Sequence, residues 1–131
     1  LCDEVTHVFH LAAISYLGMP RETAHQVNVH GTRHVLELAR DAKHLERLVH
    51  FSTTYVSGDR VGVIAEDELD CGQGFRNPYE ETKFLAEVAV VECDLFGVAS
   101  DACTAARGRD LSAVLRILEL PARRRRPRNC G

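Results

Sequence analysis

Tyr79 stands four residues before Lys83 at the opening of an apolar-periodic segment, Asn77-Pro78-Tyr79-Glu80-Glu81-Thr82-Lys83-Phe84-Leu85-Ala86-Glu87. On a helix, positions i and i+4 share one face, so the phenol and the ammonium can point into one cleft. A free phenol titrates near pH ~10, and a fixed cation beside it favours the phenolate, towards the working range of a general acid/base. A second group of reactive atoms is the hydroxyl run Ser52-Thr53-Thr54, which closes an apolar segment. A hydroxyl at a strand end can bond a substrate oxygen, and can equally well satisfy the local backbone. Tyr-x-x-x-Lys alone is common on surface helices, so its meaning depends on the residues around it.

Those groups need elements to position them. Pro78 suits the first turn of a helix, where its missing N–H costs nothing. This helix is expected to reach about Asp94, with Phe84, Leu85, Val88, Val91 and Leu95 as its apolar positions. Val5 to Leu11 reads as a short buried strand that ends at the small residues Ala12 and Ala13. A helix is expected from Arg21 to Ala42, with Val27, Val35, Leu38 and Ala39 as its stripe. Asn28 and Gly31 lie inside it, and a helix-interior glycine costs about 1 kcal/mol, which predicts a close neighbour at Gly31. Leu45 to Ser52 reads as the next strand, parallel to the first. Asp59 to Arg76 is an 18-residue excursion containing Glu66-Asp67-Glu68. A loop that long is usually functional or mobile.

The 131 residues suffice for one small domain, and no run is long and apolar enough to cross a membrane. Five scattered cysteines (Cys2, Cys71, Cys93, Cys103, Cys130) contain no Cys-x-x-Cys pair, so they read as reduced thiols in a cytoplasmic protein and not as a zinc site. His30 and His34 have ligand spacing, but no third ligand accompanies them, and no metal is expected. Residues 1–96 carry a net charge of −8 and residues 97–131 a net of +5, so the character of the chain changes near Gly97.

Four motifs in order, His10-Leu11-Ala12-Ala13, Asn28-Val29-His30-Gly31-Thr32, Phe51-Ser52-Thr53-Thr54-Tyr55-Val56-Ser57-Gly58 and Asn77-Pro78-Tyr79 with Thr82-Lys83, resemble the extended short-chain dehydrogenase/reductase family over about Thr6 to Glu92. The resemblance implies an α/β fold, part of a Rossmann-type doubly wound parallel sheet, with residues 1–96 as the central part of an NAD(P)-binding domain. It implies catalytic roles for Thr53, Tyr79, Lys83 and Asn28. Tyr79 would exchange the proton on the substrate oxygen, Lys83 would support it and hold the nicotinamide ribose, and Thr53 would orient the oxygen. Asn28 would link towards the lysine. Ala12, Ala13, Ser52, Tyr79 and Lys83 would bind the cofactor, NADP being preferred slightly over NAD. Within the family the motifs are most similar to the thioester and fatty-acyl reductases, which act on thioesters of coenzyme A or a carrier protein. Nucleotide-sugar epimerases and dehydratases are the alternative.

The ends depart from this pattern. The chain opens with Leu1 and has no Gly-x-x-Gly-x-x-Gly turn, and it lacks a strand-final Arg-Pro pair after the Tyr79 helix. It reads as a fragment lacking the N-terminal strands and the C-terminal substrate region, expected to be inactive alone and to bind a nicotinamide cofactor poorly. Residues 97–131 read as an atypical Ala/Arg-rich tail, frameshifted or disordered. Leu111, Val114, Leu115 and Leu118 have helical spacing, and Arg123 to Arg126 with Arg128 could bind phosphate backbones by charge. No aromatic interleaving or nucleic-acid motif supports that use.

Overall fold

The computed structural model describes residues 2–65 and 67–93, with the backbone of 103–104 and 115–121. Strand β1 (His7–His10) is followed by helix α1 (Arg21–Ala24), a π-helical segment (His25–His30) and α2 (Gly31–Asp41). Strand β2 (Arg47–Thr53) leads through a 3-10 turn (Thr54–Ser57) into the long loop. Then come α3 (Pro78–Glu92), β3 (Cys103–Thr104) and β4 (Leu115–Pro121).

The strand–helix–strand unit forms as expected: β1 and β2 are parallel, with His7 opposite Arg47 and His10 opposite His50. The sheet order is β1-β2-β4-β3. Its last two strands depart from an all-parallel sheet, because β4 runs antiparallel to β2, Arg47 opposite Pro121 and Thr53 opposite Leu115, and β3 runs antiparallel to β4. The part of the tail whose leucine spacing also suits a short helix is a strand over Leu115–Pro121. A seven-residue ladder along the edge of β2 outweighs a weak local helical preference. The arginine run and Leu95 lie outside the described residues.

The helix expected over Arg21 to Ala42 is continuous in backbone, with αR geometry at Ala24, His25, His30 and Gly31. A π segment adds residues per turn and so rotates the helical turns after it. Consequently Val27 is exposed, Val35 and Leu38 are half-buried, and the inward face is Val29, Thr32, Leu36 and Ala39. Leu36, Ala39 and Ala42 join Leu45, Leu48 and Val90 in one apolar cluster between the helices and the sheet.

Gly31 does not have the close neighbour expected of it. A Cβ there would meet nothing within 4 Å, and its φ of −57° is ordinary helix. Gly31→Ala is therefore expected to stabilise the fold by about 0.4–1 kcal/mol, read as a higher denaturant midpoint at unchanged slope.

α3 begins where its sequence says it should. The Asn77 side chain accepts from the Glu80 amide at 3.0 Å, Pro78 occupies the first turn, and the Glu80 carboxylate accepts from the Arg76 amide at 3.0 Å. Its buried face differs from the expected apolar stripe. Phe84 is buried, Leu85 and Val88 are half-buried and Val91 is exposed, whereas Thr82, Lys83, Ala86, Glu87 and Val90 are all buried. A helix that turns a lysine, a glutamate and a threonine inward is breaking the binary pattern, and such breaks mark functional sites.

Candidate active site

The site forms where α3 packs against β2 and the 3-10 turn. Lys83 is only 4% exposed, and its ammonium donates to the Phe51 carbonyl at 2.7 Å. That bond ties the middle of α3 to β2 beside Ser52 and Thr53. Desolvation draws the Lys83 pKa down to about 8, partly offset by the Glu87 carboxylate one turn further along. Tyr79, one turn before Lys83, is half-buried. Thr53 is buried, and its hydroxyl oxygen accepts from the Tyr55 amide at 3.3 Å, which leaves the hydroxyl proton for another acceptor. Ser52 is buried too, and its hydroxyl has no partner among the described residues. Thr54 is exposed.

Asn28, expected to link towards the lysine, reaches Thr82 beside it. It is 1% exposed, and its side-chain oxygen accepts from the Ile14 amide at 2.8 Å. Its amide group donates to the Ile14 carbonyl at 3.1 Å and to the Thr82 hydroxyl at 3.0 Å. Asn28 therefore fixes the segment that follows Ala12 and Ala13 and bolts it to the residue beside Lys83. Ala12 and Ala13 themselves are exposed beyond the end of β1.

Two buried histidines, which sequence reasoning had no cause to single out as a pair, lie under this site. His10 and His50 are directly opposed across β1 and β2, with ring centroids 5.1 Å apart. The Thr32 hydroxyl donates to the Asn28 carbonyl at 2.7 Å, so the 2.8 Å contact between it and His10 Nε2 is one in which the imidazole donates. Burial and then the Lys83 charge lower the His10 pKa. Burial, Lys83 and His10, in that order, push His50 down to about 2. Both rings are neutral at physiological pH. The one available signal was alternation: Leu48, His50 and Ser52 share a face of β2, so a leucine pointing inward takes the other two with it.

The long loop is stapled at its neck. Asp59 and Gly74 exchange a backbone bond of 3.0 Å and a side-chain bond of 2.9 Å, and Gln73 donates to the carbonyls of Val56 and Leu69, each at 2.8 Å. Gly58 turns the chain there with φ +62°, and a Cβ would meet the Gly74 carbonyl at 2.1 Å. Phe75 stacks on Phe84 of α3 at 4.9 Å. The loop thus leaves five residues after Thr53 and returns four before Tyr79, which places both ends beside the candidate site. Arg21 forms a two-point ion pair with Glu81, tying α1 to the first turn of α3.

No group of three or more candidate metal ligands exists among the described residues, and no described helix is long and apolar enough to cross a membrane. Comparison with known proteins gives a consistent result. An NAD-binding family model described as male sterility protein matches residues 1–95. A Drosophila melanogaster protein named as a putative fatty acyl-CoA reductase is 34% identical over 87 residues, covering 66% of this chain and 16% of that protein. A sterol-4-alpha-carboxylate 3-dehydrogenase of Candida albicans is 33% identical over 94 residues, covering 71% of this chain and 25% of that enzyme. Among solved structures, the UDP-glucuronic acid 4-epimerase of Bacillus cereus in complex with NAD superposes with a TM-score of 0.55 at 30% identity, covering 66% of this chain and 27% of that one. The chain therefore spans a quarter or less of these curated relatives.

Proposed function

The chain belongs to the male sterility protein family of NAD-binding domains, and from that membership we propose that it carries the Tyr–Lys part of an NAD(P)-dependent oxidoreductase that reduces an acyl thioester. The observation that carries this reading is the buried Lys83, held on the Phe51 carbonyl beside the Ser52-Thr53 strand end and one helical turn from Tyr79. A buried lysine is expensive, and its presence beside the Ser52 and Thr53 hydroxyls fits chemistry better than stability.

The residues present fit the nicotinamide side of a dinucleotide. Ala12 and Ala13 leave the end of β1 open to a flat ring, and Ser52 offers a buried hydroxyl with no partner among the described residues. Lys83 would hold the ribose hydroxyls. Such a cofactor, when bound, supplies the hydride. Thr53 donates its hydroxyl proton as a hydrogen bond to the substrate carbonyl oxygen and polarises it. Tyr79 gives its phenolic proton to that oxygen as negative charge builds there, and Lys83 holds positive charge near the phenol while the proton moves. The hemithioacetal so formed breaks its carbon–sulfur bond to leave the aldehyde and the free thiol of coenzyme A or the carrier. Asn28 acts one step back, holding the Ala12–Ala13 segment through Ile14. NADP is the preferred form, and a coenzyme A or carrier-bound thioester the preferred substrate, in keeping with the fatty acyl-CoA reductase among the relatives.

The likeness to a UDP-glucuronic acid 4-epimerase supports a second reading, nucleotide-sugar epimerisation, with the same residues acting in both directions. Nicotinamide absorbance separates the two. The intact protein with NADPH and a long-chain acyl-CoA is expected to consume the cofactor as acyl-CoA disappears. Interconversion of sugar epimers without net cofactor change would replace the first reading by the second.

A further inference from the structure

An ammonium carries three donor protons. Among the described residues Lys83 places one, on the Phe51 carbonyl, and at 4% exposure it needs further acceptors from inside the protein. The residue next to that carbonyl is His50, 1% exposed, with neither ring nitrogen hydrogen-bonded among the described residues. A neutral imidazole always has one acceptor nitrogen. A buried donor with protons to place and a buried acceptor with none to receive therefore lie at the same point of the fold. The Ser52 hydroxyl, on the other side of that carbonyl, also has no partner among the described residues. The groups beyond are occupied: His10 donates to Thr32, Thr32 to the Asn28 carbonyl, and Asn28 to Thr82.

We propose that His50 is a positioning residue for Lys83, its neutral ring accepting a second hydrogen bond from the ammonium through one water. His10 braces the ring from β1 at a centroid distance of 5.1 Å; its Nε2 proton goes to Thr32, and its Nδ1, unlike the two His50 nitrogens, is not both buried and without a partner among the described residues. Besides Tyr79 one turn away on α3, the titratable groups that face Lys83 are His10 from β1, His50 from β2 and Glu87 from α3. Glu87 favours the charged lysine, and the two rings remain uncharged, so the ammonium has polar neighbours without a competing cation. The inference rests on the reading of Lys83 as part of the site only for its functional meaning; the hydrogen bond itself does not depend on it.

The test reads the Lys83 side-chain nitrogen by NMR in the intact protein as pH is raised through the region around 8. His50→Leu removes the acceptor and is expected to lower the Lys83 midpoint by about one pH unit, and His50→Gln, which restores an acceptor, to return most of that shift. A folded His50→Leu variant with an unmoved midpoint overturns the proposal. Should the leucine variant not fold, the ring nitrogens of His50 in the unaltered protein and in Lys83→Met decide the matter. The acceptor nitrogen is expected to move towards its free-base shift when the lysine is removed, and an unchanged ring overturns the proposal. Neither readout uses turnover, so failure of the reductase reading and failure of this inference are separate results.

Discussion

Tyr79→Phe in the intact protein is expected to lower turnover by about 10²-fold or more, the usual range for loss of a general acid/base, while leaving the fold in place. The phenylalanine ring keeps the half-buried position at the start of α3, and the Asn77 and Glu80 bonds that set the helix start do not involve the hydroxyl. What is lost is a proton at one atom. The effect should therefore appear in kcat and in kcat/KM alike, as for an interaction made only in the transition state. Cofactor affinity should change far less than turnover, because Tyr79 shares the cofactor with Lys83, Ser52, Ala12 and Ala13. Single-turnover rates with NADPH and an acyl-CoA, together with a cofactor titration, check both halves. Near-normal turnover in the phenylalanine variant would remove Tyr79 from the mechanism, and an equal loss of cofactor affinity would make its role one of binding.

The position of that tyrosine was legible because local chemistry set it. Asn77, Pro78 and Glu80 specify a helix start by themselves, and a helix start places i and i+4 on one face. The parallel pair of β1 and β2 was legible for a similar reason, since two apolar β-branched segments separated by a helix have few other ways to pair. Harder to read was whatever depended on a partner distant in sequence. The π segment at His25–His30 has no compositional mark, yet it decides that Leu36 is fully buried in the core while Val35 packs at its margin. Asn28 could be recognised as a residue of interest, but its attachment to Ile14 and Thr82 needs three segments brought together. His10 and His50 read as ordinary polar positions until the register of two strands sets one against the other. The antiparallel β4 follows from the edge that β2 offers, which the spacing of its own leucines does not contain.

The same buried histidines make the protein acid-labile in a defined window. In the unfolded chain His50 titrates near its ordinary 6.5, and in the folded chain at about 2. Between those values the unfolded state binds a proton that the folded state refuses, so stability falls as pH falls. Across the whole interval that amounts to about 6 kcal/mol at ~1.36 kcal/mol per pH unit, comparable with the roughly 5–15 kcal/mol by which small proteins are stable at all. His10 is lowered as well and acts in the same direction. Two other kinds of shifted group act elsewhere. Glu68 and Glu81, both lowered from 4.5, begin to cost stability only near and below that pH. Lys83, lowered from 10.5 to about 8, acts only between those values, where the unfolded state binds the extra proton and stability rises with pH. Among the described groups with a resolved shift, the imidazoles are therefore the ones that act between pH 6.5 and 4.5. Urea midpoints taken across it should show the wild type losing on the order of 3 kcal/mol through His50. His50→Gln, which cannot be protonated, should flatten most of that slope. Parallel curves for the two proteins would assign acid lability to other groups and would mean that the folded chain admits a charge at His50. The same measurement bears on the active site, because a charged ring there would repel Lys83 from the Phe51 carbonyl, and activity would then be lost on the acid side before the fold itself gives way.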